Sequence, residues 1–243
     1  ALWKGVILWK LLLDAVFPDK CVICHDILKK RGTGALCRAC RRQLHPVAEP
    51  RCKRCSKSLE ISEEELCGDC RGKNFYVKKG MALYSYDRMM QTAIANFKYG
   101  GELSCGAYFA GELVKRYGTW VKDLSPEVIL PVPVHKKKLR FRGFNQAEYM
   151  AAQIGMELGI PVTGDYLIRT ENTRPQKGLG VRARIENLQR SFAVIQTGRP
   201  YRNVLLVDDI YTTGATLEAC GKALKEAGTN RIYFLCLCIG RGD

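Results

Sequence analysis

The 243-residue sequence has no apolar run long enough to cross a bilayer and no phosphate loop of the G-x-x-x-x-G-K-[ST] type. The apolar stretch at residues 2–17 is interrupted by Lys4, Lys10 and Asp14, and it is shorter than the about 20 apolar residues of a membrane-spanning helix. No cleavable secretion signal is apparent before the cysteines. We therefore expect a cytoplasmic protein without stable membrane insertion and without a P-loop nucleotide site.

Residues 1–20 instead predict an amphipathic helix that ends at Pro18, because proline cannot continue a helix. We expect this helix to pack on the body of the protein, and docking to a membrane surface or to a partner is the alternative. The chain begins with Ala1 rather than methionine, so we expect the true N-terminus to be missing or processed.

Large apolar residues are sparse in residues 21–72. A segment with so few residues for a hydrophobic core needs an additional crosslink, such as a bound metal ion, to fold. Its eight cysteines form four C-x-x-C pairs, spaced C-x₂-C-x₁₂-C-x₂-C and then C-x₂-C-x₁₁-C-x₂-C. Each pair places two sulfurs on one tight knuckle, and a second knuckle completes the four-sulfur shell of a structural Zn²⁺ site. The predicted ligands of two structural zinc ions are Cys21, Cys24, Cys37, Cys40, Cys52, Cys55, Cys67 and Cys70.

Other uses of these cysteines fit the sequence less well. Disulfides are rare without secretion, and no C-x-x-C pair begins a βαβ helix as a redox motif would. We favour two sequential ribbons, the first four cysteines and then the last four, although a cross-braced arrangement would use the same residues. His25 is a bystander, since eight cysteines already complete two sites.

Acidic residues are scarce beside basic ones. The chain has 24 Asp and Glu against 39 Lys and Arg, a formal charge of +15. Eight thiolates and two divalent ions together carry four negative charges, so the zinc-loaded chain keeps about +11. Such an excess favours nucleotide phosphates or nucleic acid as partners, although it also serves solubility.

Residues 73–243 alternate strand-like and helix-like segments, a pattern that predicts a parallel α/β sheet flanked by helices. Buried strands are predicted at residues 128–134, where two prolines break the end of the strand, and at residues 204–208 and 231–240. The last of these contains Cys236 and Cys238 as core residues.

The segments between these strands are also assigned. Residues 135–143 are predicted to form a basic loop. Asn145 and Glu148 form a capping-box pattern at the start of a helix that ends at Gly159. A further helix is predicted to follow the strand at 204–208 and to end near Gly228.

Two adjacent acids end the predicted strand in VLLVDDIYTTGAT, residues 204–216. Neighbouring carboxylates repel each other, so their place at the end of a buried strand indicates a bound ligand. A turn with hydroxyls and a glycine follows and leads into a helix, an arrangement that cradles phosphate. Asp208 and Asp209 before such a cradle suit a ribose 5-phosphate, whose hydroxyls meet the acids while the phosphate meets the turn.

The same segment resembles the phosphoribosyl-pyrophosphate (PRPP) motif of type I phosphoribosyltransferases. The resemblance implies that Asp208 and Asp209 contact the ribose hydroxyls at a catalytic site that uses Mg²⁺ with PRPP. It implies that a mobile loop at residues 169–190 covers the site. The implied contacts of the 5-phosphate are Thr212, Thr213, Gly214, Ala215 and Thr216. The implied contacts of the pyrophosphate are Val134, His135 and Lys136.

Further motifs narrow the resemblance to the ComF family of competence proteins, of the ComFC type. They are LLLDAVFPDKCVIC, FKYGG (97–101), PVPVHKKKLRFRGFNQAE (131–148) and TRPQKGLGVRARIENLQRSF (173–192). The resemblance implies a double zinc ribbon on a type I phosphoribosyltransferase fold. Composition divides the chain into three parts at 1–20, 21–72 and 73–243. The resemblance also implies a role in natural transformation, with single-stranded DNA and a ComFA-type DEAD-box ATPase as partners that bring the protein near the inner face of the membrane.

Two functions stay open at this point. The first is an active phosphoribosyltransferase in nucleotide metabolism, acting on an unidentified nucleobase or amine, with Lys136, Arg140, Arg142 and Arg174 on the departing pyrophosphate. The second is a nucleic-acid or partner-binding module, in which basic residues neutralise phosphates. Its predicted contacts are Lys137, Lys138, Arg140, Arg142, Arg174 and Lys177.

Several other residues have two possible roles. Phe141 and Phe144 either stack on a base or anchor the following helix in the core. Arg182 and Arg184 in the predicted mobile loop serve either PRPP or DNA. A further basic set on the zinc ribbons either contacts DNA or the ATPase, or is a solvated face: Arg38, Arg41, Arg42, Arg51, Lys53 and Arg54.

Overall fold

The structure, a computed structural model, describes residues 19–28, 35–170, 190–195 and 198–240. Nearly all of the predicted helix at 1–20, most of the predicted mobile loop at 169–190, and Arg174 and Lys177 lie outside these residues. The helices are α1 (Arg38–Arg42), α2 (Arg88–Tyr99), α3 (Leu103–Leu124), α4 (Lys136–Arg142), α5 (Gln146–Leu158) and α6 (Ala215–Glu226). The strands are β1 (Lys79–Ser85), β2 (Val128–Pro131), β3 (Leu167–Arg169), β4 (Phe192–Val194), β5 (Asn203–Tyr211) and β6 (Arg231–Ile239).

Four of the strands form a parallel sheet in the order β1-β6-β5-β2, and β3 pairs antiparallel with β4 in a separate hairpin. The predicted parallel α/β sheet flanked by helices is therefore confirmed. Among the described residues, no helix combines the length and apolarity that crossing a membrane requires.

Alternate residues of the central strand β5 enter two different cores, because successive side chains of a strand point to opposite faces. Leu205 and Val207 pack in a core with residues of α2, α3 and α5. Val204 and Leu206 pack in a second core with residues of α6 and the β3–β4 hairpin. Both faces of β5 are covered by packed side chains, and this is why residues 204–207 are all apolar.

The cysteine-containing segment covers the outer edge of the sheet. The backbone N–H of Val47 donates to the carbonyl of Leu83 at 3.0 Å, and Ser85 N–H donates to the carbonyl of His45 at 2.9 Å. Strand β1 thus gains a partner on the side away from β6, which protects an edge that would otherwise pair with other chains. Boundaries between parts at residues 20 and 72 stay predictions.

Two predicted strand ends are wrong. β2 stops at Pro131 rather than at residue 134, because prolines at 131 and 133 supply no N–H to the ladder. β5 runs to Tyr211 rather than to residue 208, because it keeps pairing with β6 as far as Ile239. The final strand, β6, is confirmed, with Cys236 and Cys238 fully buried.

The predicted basic loop at 135–143 is also wrong, since most of it forms helix α4. His135 caps this helix by accepting the N–H of Lys137 on its Nδ1 at 3.1 Å, and Gly143 ends it. The predicted helix after Asn145 is confirmed as α5, where Asn145 Oδ1 accepts the N–H of Ala147.

Gly106 of α3 lies against side chains of both α2 and α5. A Cβ at this position would collide with the rings of Phe97 and Tyr149. We expect Gly106→Ala to lower the free energy of unfolding by about 1–3 kcal/mol through overpacking. Gly111→Ala, on the same helix, should instead raise it by roughly 0.5–1 kcal/mol through helix propensity, because a Cβ there would meet only Glu157 Oε1, at an ordinary contact distance of 3.8 Å. Urea unfolding measures both, and equal shifts would contradict the packing argument.

Candidate functional site

The acidic pair lies at the carboxyl end of the parallel sheet, the edge at which open α/β sheets bind ligands. Asp208 and Asp209 are the sixth and seventh residues of β5, and both are partly buried. The backbone N–H of Asp209 donates to Asp208 Oδ1 at 2.8 Å. Because the two side chains of adjacent strand residues point to opposite faces, the pair presents carboxylates on both sides of the strand.

Burial and the adjacent Asp209 carboxylate raise the pKa of Asp208 well above its ordinary value. Lys98 only partly opposes this effect. The carboxyl group of Asp208 is therefore stabilised by any ligand that donates hydrogen bonds or brings a cation to it. Partly buried carboxylates of this kind suit a ligand that carries hydroxyl groups or a metal ion.

Lys98 forms an ion pair with Asp209, and the sequence alone did not identify it. The lysine side chain is 17% exposed and the aspartate 13%, so the pair is largely shielded from water. Lys98 lies at the end of α2 within FKYGG, one of the motifs on which the family resemblance rests. The sequence did contain an indication of this role, because Lys98 is a cation between two aromatic residues that are followed directly by a pair of glycines.

Helix α2 is fixed at its other end by Asp87. Its Oδ1 accepts the N–H of Met90 at 3.0 Å, and its Oδ2 lies 2.6 Å from Nδ1 of His45. Burial alone would raise the pKa of Asp87, but the bonds from His45 and Met90 hold it below its ordinary value. These contacts position the helix that carries Lys98 to the acidic pair.

The turn after β5 contains the residues of the predicted phosphate cradle. Thr212 and Thr213 are exposed, and Thr213 Oγ1 accepts the N–H of Ala215 at 3.4 Å. Gly214 adopts a φ of +77° and caps the twelve-residue helix α6, which leaves the first N–H groups of that helix directed at the turn. A Cβ on Gly214 would also collide with the Tyr211 hydroxyl.

The segment predicted to bind pyrophosphate lies beside the acidic pair because β2 and β5 are neighbours. Pro131 is in register with Val207, and Val132 N–H donates to the carbonyl of Val207 at 2.9 Å. The chain therefore leaves β2 next to Asp208 and continues through Val134 and His135 into α4. The structure thus brings the two predicted binding segments together at one edge of the sheet.

The predicted nucleic-acid residues of α4 form a basic, partly aromatic surface. Lys137, Lys138 and Arg140 are exposed, whereas Arg142 turns back to donate to Gln146 and to the Tyr99 hydroxyl at 3.2 Å. Phe141 is 79% exposed. Its ring lies 6.1 Å from that of Tyr99, which is also exposed.

The two phenylalanines of this region have different roles. Phe144 is partly buried and packs on Phe97, with ring centroids 5.6 Å apart, so it anchors the core. Phe141 instead faces solvent. Stacking on a ligand therefore stays open for Phe141 and is excluded for Phe144 by its packing.

The eight predicted zinc ligands lie in two groups of four in sequential order. In each group the sulfurs all lie within 4.8 Å of one another. Four sulfurs 2.3 Å from a shared Zn²⁺ would be about 3.8 Å apart, so both groups fit the ion. We refer to Cys21, Cys24, Cys37 and Cys40 as the first zinc site, and to Cys52, Cys55, Cys67 and Cys70 as the second zinc site.

The two zinc sites differ in exposure. Cys24 of the first zinc site is exposed, whereas all four cysteines of the second zinc site are buried. Two arginines of the ribbon region also turn inward, contrary to a role on its surface. The side chains of Arg51 and Arg54 are only 11% and 10% exposed.

The double zinc ribbon domain model matches residues 12–71. Competence protein F of Haemophilus influenzae is 32% identical over 224 residues, covering 89% of this chain and 95% of that protein. Competence protein ComFC of Streptococcus pneumoniae is 26% identical over 231 residues, covering 88% and 96% respectively.

Among solved structures, a purine phosphoribosyltransferase from Pyrococcus horikoshii is 16% identical and covers 56% of this chain and 84% of its own, with a TM-score of 0.35. The sequence match to competence protein F spans nearly the whole of both chains. The chain belongs to the family of competence proteins F and ComFC.

Proposed function

We propose that this protein binds Mg²⁺ with PRPP, or another ribose 5-phosphate ligand, and acts in DNA uptake during natural transformation. One observation carries the ligand assignment: a partly buried acidic pair, neutralised on one side by Lys98, lies directly before a glycine-containing turn and a helix N-terminus. The names of the relatives support the role in competence.

The proposed contacts follow from the positions of these groups. Asp208 and Asp209 accept the hydrogen bonds of the ribose hydroxyls, and residues 212–216 hold the 5-phosphate through backbone N–H groups and hydroxyls. Residues 134–136 face the pyrophosphate from the neighbouring strand. Mg²⁺, when bound with PRPP, would neutralise the diphosphate and polarise its oxygens.

Calorimetric titration of PRPP into the zinc-loaded protein, with Mg²⁺ present, tests the ligand assignment. Saturable heat at one site per chain is the expected result. Ribose 5-phosphate without the pyrophosphate should bind more weakly, because the residues beside β2 then have no partner. The assignment is wrong if the folded, zinc-loaded protein gives no binding heat with either ligand.

Single-stranded DNA is the proposed macromolecular partner of α4, together with a ComFA-type ATPase. The support is a seven-residue helix with five basic residues that also exposes Phe141 beside Tyr99. A groove of about 630 Å³ next to it is lined in part by Leu103, Leu139 and Tyr149. Cations bind the phosphates of such a strand while aromatic rings stack on its bases.

Phe141→Ala should weaken binding of a short single-stranded DNA by roughly 5- to 100-fold, the equivalent of losing one stacked base. Its exposure means that truncation should leave thermal stability unchanged. Fluorescence anisotropy at several salt concentrations measures the affinity.

The slope of affinity against salt separates stacking from phosphate contacts. It should stay unchanged in Phe141→Ala and become shallower when Lys137 and Lys138 are replaced by Gln, because only cations displace counterions. Phe141→Leu is the matched control, since it keeps an apolar side chain but removes the ring. Affinity equal to wild type in both Phe141 variants would contradict stacking.

A second candidate function is an active phosphoribosyltransferase with a nucleobase or amine acceptor. The presence of both acids, with Lys98 paired to Asp209, favours it. In that reaction the bond from ribose C1 to pyrophosphate breaks and a bond from C1 to the acceptor nitrogen forms. Pyrophosphate release, screened across nucleobases and amines with Mg²⁺ and PRPP, tests it.

A further inference from the structure

Arg54 connects the second zinc site to the helix that begins at the proposed phosphate cradle. Its Nη1 lies 3.5 Å from Sγ of Cys70, a predicted zinc ligand. Its Nη2 lies 2.5 Å from Oε1 of Glu218, in the first turn of α6. One guanidinium group thus contacts both a metal-binding sulfur and the helix of the ligand site.

Glu218 is held on both of its carboxylate oxygens. Besides Oε1, which faces Arg54, its Oε2 accepts the backbone N–H of Tyr76 at 2.7 Å. Its own backbone N–H donates to the carbonyl of Gly214 at 2.9 Å and so closes the first turn of α6 on the cradle glycine. A shift of Glu218 would therefore move the turn that holds the proposed 5-phosphate.

The contacts of Arg54 are shielded and specific. Its side chain is 10% exposed and that of Glu218 is 17% exposed. The guanidinium also donates to the carbonyl of Val77 at 3.1 Å and lies over the ring of Phe75. Removing either partner of such a pair leaves a charge without compensation, so the two groups hold one arrangement.

We propose that Arg54 is a positioning residue that couples occupancy of the second zinc site to the affinity of the phosphate cradle. This coupling rests on the proposed ribose-phosphate ligand and adds a regulation to that site. Zinc fixes the knuckle that carries Cys70, Cys70 fixes Arg54, and Arg54 fixes Glu218 and the first turn of α6. Because coupling between two binding sites is reciprocal, the ligand must in turn stabilise the zinc.

Arg54→Met removes the charge while keeping an unbranched side chain of similar length. We expect the affinity for Mg²⁺ with PRPP to fall about tenfold, within the usual range for coupled sites. Glu218→Gln should have a similar effect, and the double variant should be no worse than either single one. Arg71→Met is the matched control, because Arg71 pairs with Glu64 in the same ribbon at an exposed position and does not reach α6.

A purely structural role for Arg54 would not change zinc kinetics in response to ligand. Zinc release to a chromophoric chelator should be biphasic, and Mg²⁺ with PRPP should slow one of the two phases several-fold. That protection should disappear in Arg54→Met and persist in Arg71→Met. Amide exchange of residues 214–220 without ligand should also accelerate in Arg54→Met.

The outcomes separate this coupling from the proposed function. If PRPP binds the wild type but neither its affinity nor zinc protection changes in Arg54→Met, the coupling is wrong and the ligand assignment stands. If PRPP does not bind the wild-type protein at all, both are overturned. Wild-type affinity together with accelerated amide exchange would also contradict the coupling.

Discussion

Replacing both Asp208 and Asp209 by Asn should reduce the affinity for Mg²⁺ with PRPP by roughly 100-fold or more. Each charged hydrogen bond to a ligand hydroxyl contributes about 1.5–3 kcal/mol, and two are lost. Calorimetry on the wild-type and double-variant proteins measures the change. The loss should be larger than that of any single substitution in the turn, where several backbone N–H groups share the phosphate.

Folding must be separated from binding in this double variant. Lys98 loses its partner Asp209, which destabilises the protein, but the repulsion between two buried carboxyl groups disappears as well. We therefore expect a melting temperature close to that of the wild type. Asp123→Asn, the same chemical change at an exposed position of α3, should leave affinity unaltered. If the affinity of the double variant stays within threefold of the wild type, these two acids do not contact the ligand.

Cys55→Ser should reduce the bound zinc from two ions per chain to one and unfold the ribbon around the second zinc site. Structural Zn²⁺ supplies about 10–16 kcal/mol of apparent folding free energy in small zinc domains, whereas a whole domain is stable by only about 5–15 kcal/mol. Cys55 is fully buried, so a serine hydroxyl in its place loses the metal bond and has no water to replace it. Zinc content by mass spectrometry and thermal unfolding measure the effect.

The two zinc sites should respond unequally. Cys24→Ser also removes a predicted ligand, but at an exposed position, so the loss in melting temperature should be smaller. Cys105→Ser is the control for loss of a buried thiol, since Cys105 is buried and belongs to neither site. It should keep two zinc ions. Two ions retained by Cys55→Ser would show that this residue is not a ligand.

Local patterns were enough to predict the metal ligands and several elements of the fold. The spacing within a C-x-x-C knuckle depends on a few bonds, so it is visible without tertiary structure. Helix α5 was predicted from its capping residue Asn145 and its final Gly159, since helix ends depend on neighbouring residues. The apolar run of β5 likewise indicated a strand covered on both faces.

Local patterns failed where pairing between strands or a cap changed the outcome. β5 continues past its acids because β6 is long enough to pair with it. The length of β6 cannot be inferred from residues 208–211 themselves. Helix α4 forms within a run of like charges because His135 caps it and its side chains reach solvent. The charge run alone indicated only a basic, exposed segment.

By itself, the sequence determined that this protein binds zinc through eight cysteines and places two acids before a glycine-containing turn. The tertiary structure alone decided which side chains meet there. Lys98 reaches Asp209, and Arg54 reaches Glu218 from 164 residues away, because strand order and helix packing bring distant segments together. The exposure of Phe141 and the burial of Phe144 were decided in the same way. Spacing along a chain encodes contacts within a turn or a knuckle, whereas contacts between elements depend on the whole packed arrangement.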